Sequence, residues 1–456
     1  MSVPGLLPGL QQHSEVAEPP TETQHELQAN REWRFEVSPG SSIDVKLLRG
    51  TAEIFGTELP VGHKFTFTSM KAAVFTWNGC TIEVSGTPSV EYTSDETPMN
   101  AYANTHFALE RARGAASESP VAQGPRVMII GPQDAGKTSL LKMLTGYAVR
   151  QGRRPVVVNL DPKEGMLSLP GTLTATSFST IMDVEEGFGT SPTSGPSPVP
   201  AKLPLVYYYG LENPDANQRL YKSLASRLAL AVSSKLSEND ANRISGCIID
   251  TSGFIAQASG YDMVQHIVAE FQVDTLLVLG SERLYSDMCR RFQDRPRNPV
   301  AVVKLQKSGG CVDREEAFMK QARETAIREY FFGEPKRTLS PYTMTVGLDD
   351  VKIWRVGTAS TLGAELLPAG EELKQPLYTR VEASILIQHS VMAVVHANLD
   401  DPEEVLAEST VMGFVYVASV DDQKRFMKIL APVSGRLPPN PLIVSSFPEP
   451  TFSLVG

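Results

Sequence analysis

The rhythm of hydrophobic and polar positions changes twice along the chain. Residues 1–30, rich in Pro, Gln, Glu and Thr, follow neither a period of two nor one of 3.6 and read as a disordered arm. From Trp33 short β-type runs succeed one another: WRFEV, IDVKLL, TAEIFG, KFTFTS, AAVFTW and TIEVSG. Gly, Pro, Asn and Ser punctuate them, which predicts a small all-β sandwich or barrel. Turn-rich EYTSDETPMN then leads into ANTHFALERARGAA, a predicted connecting helix. Near Gly124 a second rhythm begins. The apolar runs RVMII, PVVVNLD, LPLVYYYG, GCIIDTSG, TLLVLG and PVAVVKL alternate with helical stretches such as TSLLKMLTGYAVRQG and YDMVQHIVAEFQ. Strands apolar on both faces, alternating with helices, predict a parallel sheet covered on both sides. Within this stretch GFGTSPTSGPSPVPAKLP (187–204) is low in complexity and reads as a surface loop, and residues 314–333 predict a closing helix. After Pro335 short β-type runs return, from YTMTVG to RFMKILAP, and predict a third, mainly β module.

At the head of the second rhythm stands VMIIGPQDAGKTSLLKML, residues 127–144. Gly131 to Thr138 satisfies every fixed position of G-x-x-x-x-G-K-[ST], with a predicted strand before it and a helix after it. The glycines let the backbone curl so that successive N–H groups face phosphate oxygens, and the helix turns its positive end toward the same anion. Lys137 would reach the β- and γ-phosphates, and the Thr138 hydroxyl would ligate Mg²⁺. Such a site also needs an acid beside the metal at the end of a neighbouring strand. Asp161, closing PVVVNLD, and Asp250, closing GCIID, both qualify. The fold class is therefore α/β: a central P-loop NTPase sheet with helices on both faces, an N-terminal β sandwich-like domain and a small, mainly β C-terminal domain. The expected boundaries are 1–30, 31–112, 113–335 and 336–456.

Composition narrows the chemistry. With 42 basic and 52 acidic residues the net charge is −10, which excludes a broad nucleic-acid-coating surface but leaves room for a local basic groove. Cys80, Cys247, Cys289 and Cys311 form no C-x-x-C pair, so neither a zinc site nor a disulfide framework is signalled. No apolar run approaches the ~18–20 residues that span a bilayer, so no membrane partner is expected. DTSG (250–253) has the form of a GTPase switch, yet no N-K-x-D follows it. Tyr207, Tyr208 and Tyr209 end an apolar strand and read as core. The stretch 282–297 concentrates Arg283, Arg290, Arg291, Arg295 and Arg297, either a lid over a transferring phosphate or a solvated helix face.

From about residue 32 onward the text resembles a known family. REWRFEV, TAEIFGTEL, KAAVFTWNGC, GPQDAGKTSLLKML, LPGTLTA, DVEEGF, ERLYSD, KSGGCVDR, IREYFFG and VMGFVYVASV occur in order. They are similar to the P-loop ATP-binding subunit of the pre-mRNA 3′-end cleavage and polyadenylation machinery, a fungal cleavage factor IA component in the polynucleotide 5′-hydroxyl kinase family. The resemblance implies a nuclear protein that docks other cleavage factor subunits and holds ATP and Mg²⁺ between its first two domains. It implies base contacts from Glu32 and Lys71, phosphate contacts from Gly131, Asp134, Ala135, Gly136, Lys137, Thr138 and Ser139, and Asp161 as the preferred metal-side acid and catalytic partner of Lys137. Kinase-active relatives continue from the strand Asp with Val-Gly-Gln-Gly, whereas this chain has Pro162-Lys163-Glu164-Gly165. They also carry a Trp where Phe254 stands, a larger platform for an RNA base. Both departures fall on the acceptor side, so an ATP-holding scaffold is expected over an active RNA 5′-hydroxyl kinase. Direct RNA binding stays open.

Overall fold

The computed structural model describes residues 22–185, 204–292, 299–334, 337–357 and 377–454. The first rhythm becomes two antiparallel sheets. Their strands are β1 (Glu22–Leu27), β2 (Arg31–Glu36), β3 (Ser42–Gly50), β4 (Glu53–Ile54), β5 (Thr57–Glu58), β6 (Lys64–Thr68), β7 (Lys71–Thr76), β8 (Cys80–Ser85) and β9 (Val90–Ser94). One sheet runs β1-β8-β3-β6 and the other β5-β4-β7-β2-β9. They enclose a core that includes Trp33, Phe35, Val45, Leu47, Phe67, Ile82 and Val84. One expectation is corrected here: Glu22–Leu27, assigned to the disordered arm, pairs along β8 from Glu22↔Ser85 to Leu27↔Cys80. Its sequence ETQHEL buries only Leu27, so an edge strand held by backbone bonds left almost no hydrophobic trace.

Helix α1 (Met99–Ser117) leads into the central layer: β10 (Arg126–Ile130), α2 (Lys137–Arg150), β11 (Val156–Leu160), β12 (Thr172–Ser177), β13 (Leu205–Tyr208), α3 (Gln218–Glu238), α4 (Asp240–Ser245), β14 (Cys247–Thr251), α5 (Tyr261–Glu270), β15 (Thr275–Leu279), α6 (Glu282–Phe292), β16 (Ala301–Leu305) and α7 (Glu316–Phe332). The sheet order is β13-β12-β11-β14-β10-β15-β16. Strands β11, β14, β10, β15 and β16 are parallel, while β12 pairs antiparallel with β11 and β13 antiparallel with β12. Successive side chains separate into two cores, as a pleated strand covered on both faces requires. Val127, Ile129, Ile248 and Leu277 pack under α1 and α2. Met128, Ile130, Ile249 and Leu276 pack with α3, α5 and α6. The second of these cores takes in Tyr207, Tyr208 and Tyr209, which are core as expected.

After the short hairpin β17 (Gly333–Glu334) and β18 (Arg337–Thr338), a seven-stranded sheet closes the chain. It comprises β19 (Tyr342–Gly347), β20 (Ile353–Val356), β21 (Tyr378–Val381), β22 (Val391–Val395), β23 (Val411–Asp421), β24 (Phe426–Ala431) and β25 (Leu442–Val444), in the order β19-β24-β23-β22-β25-β20-β21. Phe414 and Tyr416 of this sheet share one hydrophobic core with Tyr208, so the C-terminal domain is packed against the central one. The segment 187–203 lies outside the described residues. No described helix is long and apolar enough to cross a membrane.

Candidate nucleotide-binding cleft

One sheet face roofs the site. In β2 the residues Glu32, Trp33, Arg34 and Phe35 are all buried. Trp33 and Phe35 point into the sandwich core, so the pleat turns Glu32 and Arg34 outward, toward the central domain. Register places Phe75 opposite Glu32, Ala73 and Tyr92 opposite Arg34, and Lys71 and Val90 opposite Glu36. These same residues, with Phe55, Met99, Tyr102, Gly136, Ser139 and Cys311, line a cavity of about 850 Å³, its open mouth included, between the two domains. Its charges are internally paired. Arg34 Nε donates to Glu32 Oε1 at 2.5 Å and its Nη2 donates to the Glu96 carbonyl at 2.7 Å, while Thr97 Oγ1 donates to Glu32 Oε2 at 2.9 Å. Lys71 Nζ lies 2.9 Å from Glu36 Oε2. The segment Ser308–Cys311 forms part of the far wall, and a Cβ on Gly310 would lie 3.0 Å from Arg34 Nε, so glycine lets that wall close.

A second cavity, of about 1390 Å³ out to its open mouth, meets the first at Gly136, Ser139, Lys71, Gly310 and Cys311. Gln133, Asp134, Lys137, Thr138, Asp161, Glu164, Phe254 and Arg314 also line it. The P-loop joins β10 to α2 with Asp134 at φ 54° and Gly136 at φ 88°. Gly136 is the N-cap of α2 and makes no side-chain capping bond, so the first amides of the helix are left for another acceptor. Lys137 is buried; one of its three ammonium donors meets the Pro132 carbonyl at 2.9 Å. Thr138 Oγ1 donates to Asp250 Oδ2 at 2.5 Å.

The two strand-end acids sit on adjacent strands, with Asn159 opposite Asp250 in register. Asn159 braces the turn after β11: its Oδ1 accepts from the Asp161 N–H at 2.9 Å, and Asp161 Oδ1 accepts from the Lys163 N–H at 3.0 Å. Burial, reinforced by Glu164, pushes the Asp161 carboxyl up to about 6. Burial likewise pushes Asp250 up to about 7, against the pull of Lys137 and Thr138. Asp250, which is buried, and the half-buried Asp161 are acids whose ionisation is opposed by desolvation, a donor set that a divalent cation would relieve. The uncapped helix, the single-partnered lysine and the Thr138–Asp250 pair thus fit a triphosphate with Mg²⁺.

Of the residues expected from the sequence, Glu32, Lys71, Gly136 and Ser139 line the first chamber, which that expectation makes the base side, and Lys71, Asp134, Gly136, Lys137, Thr138, Ser139 and Asp161 line the second, which it makes the phosphate side. Gly131 and Ala135 belong to the loop itself; Ala135 packs in the core beneath it. The hydroxyl of Thr138 meets Asp250 rather than Asp161, the acid preferred from the resemblance. Among the described residues none of α6 lines either chamber. Arg283 and Arg290 pair with Asp287, and the Arg291 guanidinium lies 5.0 Å from the Tyr261 ring centroid. They form a surface helix face; Arg295 and Arg297 lie outside the described residues. Sequence reasoning missed two arginines of the cleft. Arg34 was legible from the period of β2, which gives it the face of Glu32. Arg314 closes KSGGCVDR and had no local signal, because its partners are Asp134 and Glu164, from two distant loops.

Three family models match this architecture in chain order. They are the N-terminal β-sandwich domain of polyadenylation factor at residues 26–116, the mRNA cleavage and polyadenylation factor CLP1 P-loop at 131–333, and pre-mRNA cleavage complex II protein Clp1 at 339–449. The mRNA cleavage and polyadenylation factor clp1 of Botryotinia fuckeliana is 53% identical over 465 residues, covering 100% of both chains. The chain belongs to the CLP1 family. Its Phaeosphaeria nodorum relative is 45% identical over 467 residues, covering 99% of each chain. Two solved relatives superpose with a TM-score of 0.84 at 28% identity, over 94% of this chain and 98% of theirs. One is a wild-type Clp1p–Pcf11p complex. The other concerns an extended interface between Pcf11p and Clp1p and the structural basis for ATP loss in a glycine-to-arginine point mutant. CLP1 membership thus rests on all three modules as well as on the P-loop.

Proposed function

We propose that this CLP1-family chain is an ATP-binding component of the nuclear pre-mRNA 3′-end cleavage complex. It holds ATP and Mg²⁺ between its N-terminal and central domains and serves as a scaffold for partner subunits. The observation that carries this reading is the joined pair of chambers, walled by β2 and β7 above and by the P-loop below. A ligand that touches both walls cements the two domains, stabilising them by RT ln(1 + [L]/Kd). Glu32 and Lys71 face the base; Gly131, Asp134, Ala135, Gly136, Lys137, Thr138 and Ser139 hold the phosphates. Thr138 with Asp161 and Asp250 would hold Mg²⁺, which would neutralise phosphate charge. Solved relatives carry Pcf11p, and we propose that a Pcf11p-like cleavage factor subunit docks here as well.

The alternative reading is an ATP-dependent RNA 5′-hydroxyl kinase, favoured by Asp161 and Phe254 lining the phosphate-side chamber. Against it, the acceptor-side cation Lys163 is committed to Glu212 at 2.7 Å and Glu316 at 3.4 Å. Labelled ATP and a 5′-hydroxyl RNA oligonucleotide separate the two readings. The scaffold reading expects intact ATP in the purified protein and unlabelled RNA. Labelled RNA that disappears with Lys137→Ala would establish the kinase instead.

A further inference from the structure

Arg314 precedes α7 and bridges two acids that line the cleft, Asp134 of the P-loop and Glu164 of the turn after β11. Its backbone N–H donates to Asp134 Oδ2 at 3.1 Å, its Nε to Asp134 Oδ1 at 2.6 Å, and its Nη2 contacts both Asp134 and Glu164. The two acids differ in how firmly they are built in. The Asp134 side chain is 5% exposed and stands in the P-loop at a left-handed φ, held by the Arg314 backbone as well as by its guanidinium. Glu164 lies on the turn after β11 with its side chain 31% exposed, and Arg314 is its one bonded partner among the described residues. Glu164 and Arg314 both line the phosphate-side chamber, where a polyanion would meet the carboxylate as well as the guanidinium.

We propose that Glu164 competes with the nucleotide's phosphates for Arg314, so that this ion pair limits how tightly the cleft holds a nucleoside triphosphate. Asp134 fixes the guanidinium at the chamber wall, and Glu164 occupies the end of its fork. A phosphate oxygen matches that fork as well as a carboxylate does, so each engages it at the expense of the other. The inference rests on the proposed ATP site and adds a specificity to it: the restraint acts on ligands long enough to reach Arg314, which AMP is not.

The test is calorimetric titration of the full chain with Mg-ATP and with AMP, across wild type, Glu164→Gln, Arg314→Gln and the double variant, each checked by thermal melting. Glu164→Gln is expected to tighten ATP about threefold, the scale of a partly exposed ion pair, and to leave AMP unchanged. Arg314→Gln is expected to weaken ATP roughly tenfold. In the Arg314→Gln background the gain from Glu164→Gln should vanish. If it persists there, Glu164 acts by charge repulsion alone and the competition is overturned. Should Arg314→Gln fail to fold, Arg314→Lys, which keeps the charge but not the fork, takes its place with the same expectation. Equal ATP affinities for wild type and Glu164→Gln would overturn this inference alone. Failure of wild type and every variant to bind ATP would overturn the ATP site and the inference together.

Discussion

The two chambers of the cleft solve opposite electrostatic problems. On the expected base side, Glu32 is matched by Arg34 and Thr97, and Glu36 by Lys71, among apolar walls that include Phe55, Phe75 and Met143. That chamber is complete in itself. On the phosphate side, Asp161 and Asp250 are both desolvated with their carboxyls pushed up, and the lysine and helix amides beside them have donors to spare. The proposed ligand, bringing anion and cation together, would balance that chamber. The difference teaches that the fold can be preorganised for a nucleoside while its triphosphate site stays energetically unfinished, and ATP would then contribute to stability as well as to recognition.

The strongest way to break this division is at Gly136, one of the residues both chambers share. A Cβ on Gly136 would lie 2.6 Å from Cys311 Sγ, at a φ of +88° that costs a non-glycine residue about 1–2 kcal/mol. Gly136→Arg should therefore empty both halves at once. No ATP is expected in a heat extract of the purified protein, and the melting temperature should fall toward that of nucleotide-free wild type. Retention of ATP by this variant would mean that the chambers do not meet at Gly136.

A smaller effect tests the unfinished half by itself. Burial lifts Asp250 from an ordinary aspartate value to about 7, so the folded state binds its proton more tightly than the unfolded chain does. Its contribution to stability is then present in full below about pH 4 and is lost as pH rises to about 7. Chelated, nucleotide-free protein should lose up to about 4 kcal/mol across that window, measured by urea unfolding, and Asp250→Asn should flatten the slope. Mg-ATP should offset the loss at the alkaline end. An equal slope in Asp250→Asn would move the charge imbalance elsewhere.

Much of this arrangement is legible in the sequence. The spacing of Gly131, Gly136, Lys137 and Thr138 is local chemistry, written in eight consecutive residues, and the apolar runs of β10, β14 and β15 announce strands buried on both faces. What stayed hidden depends on contacts between distant segments. Strand β1 exposes most of its side chains and is held by its pairing with β8. The antiparallel addition of β12, TLTATS, has threonines where a parallel core strand has Val or Ile. Choosing Asp250 over Asp161 as the partner of Thr138 needed the order of strands in the sheet, which the two strand-end aspartates do not encode individually.

The finest test concerns Lys71, which lines both chambers. Its ammonium faces Glu36 across the β2–β7 pair and lies 5.7 Å from the Phe318 ring centroid, with each member of the ion pair 28% exposed. A pair that wet contributes about 0–1 kcal/mol to folding, so Lys71→Met should barely shift the melting temperature of the nucleotide-free protein. If Lys71 belongs to the base-side chamber, ATP affinity should drop severalfold while inorganic triphosphate binds as before, because only the nucleoside has lost a partner. Equal losses for both ligands would assign the lysine to the phosphates. In that case the base would be read by Glu32 and its neighbours on β2 and β9, and the boundary between the finished and unfinished halves would run along β7.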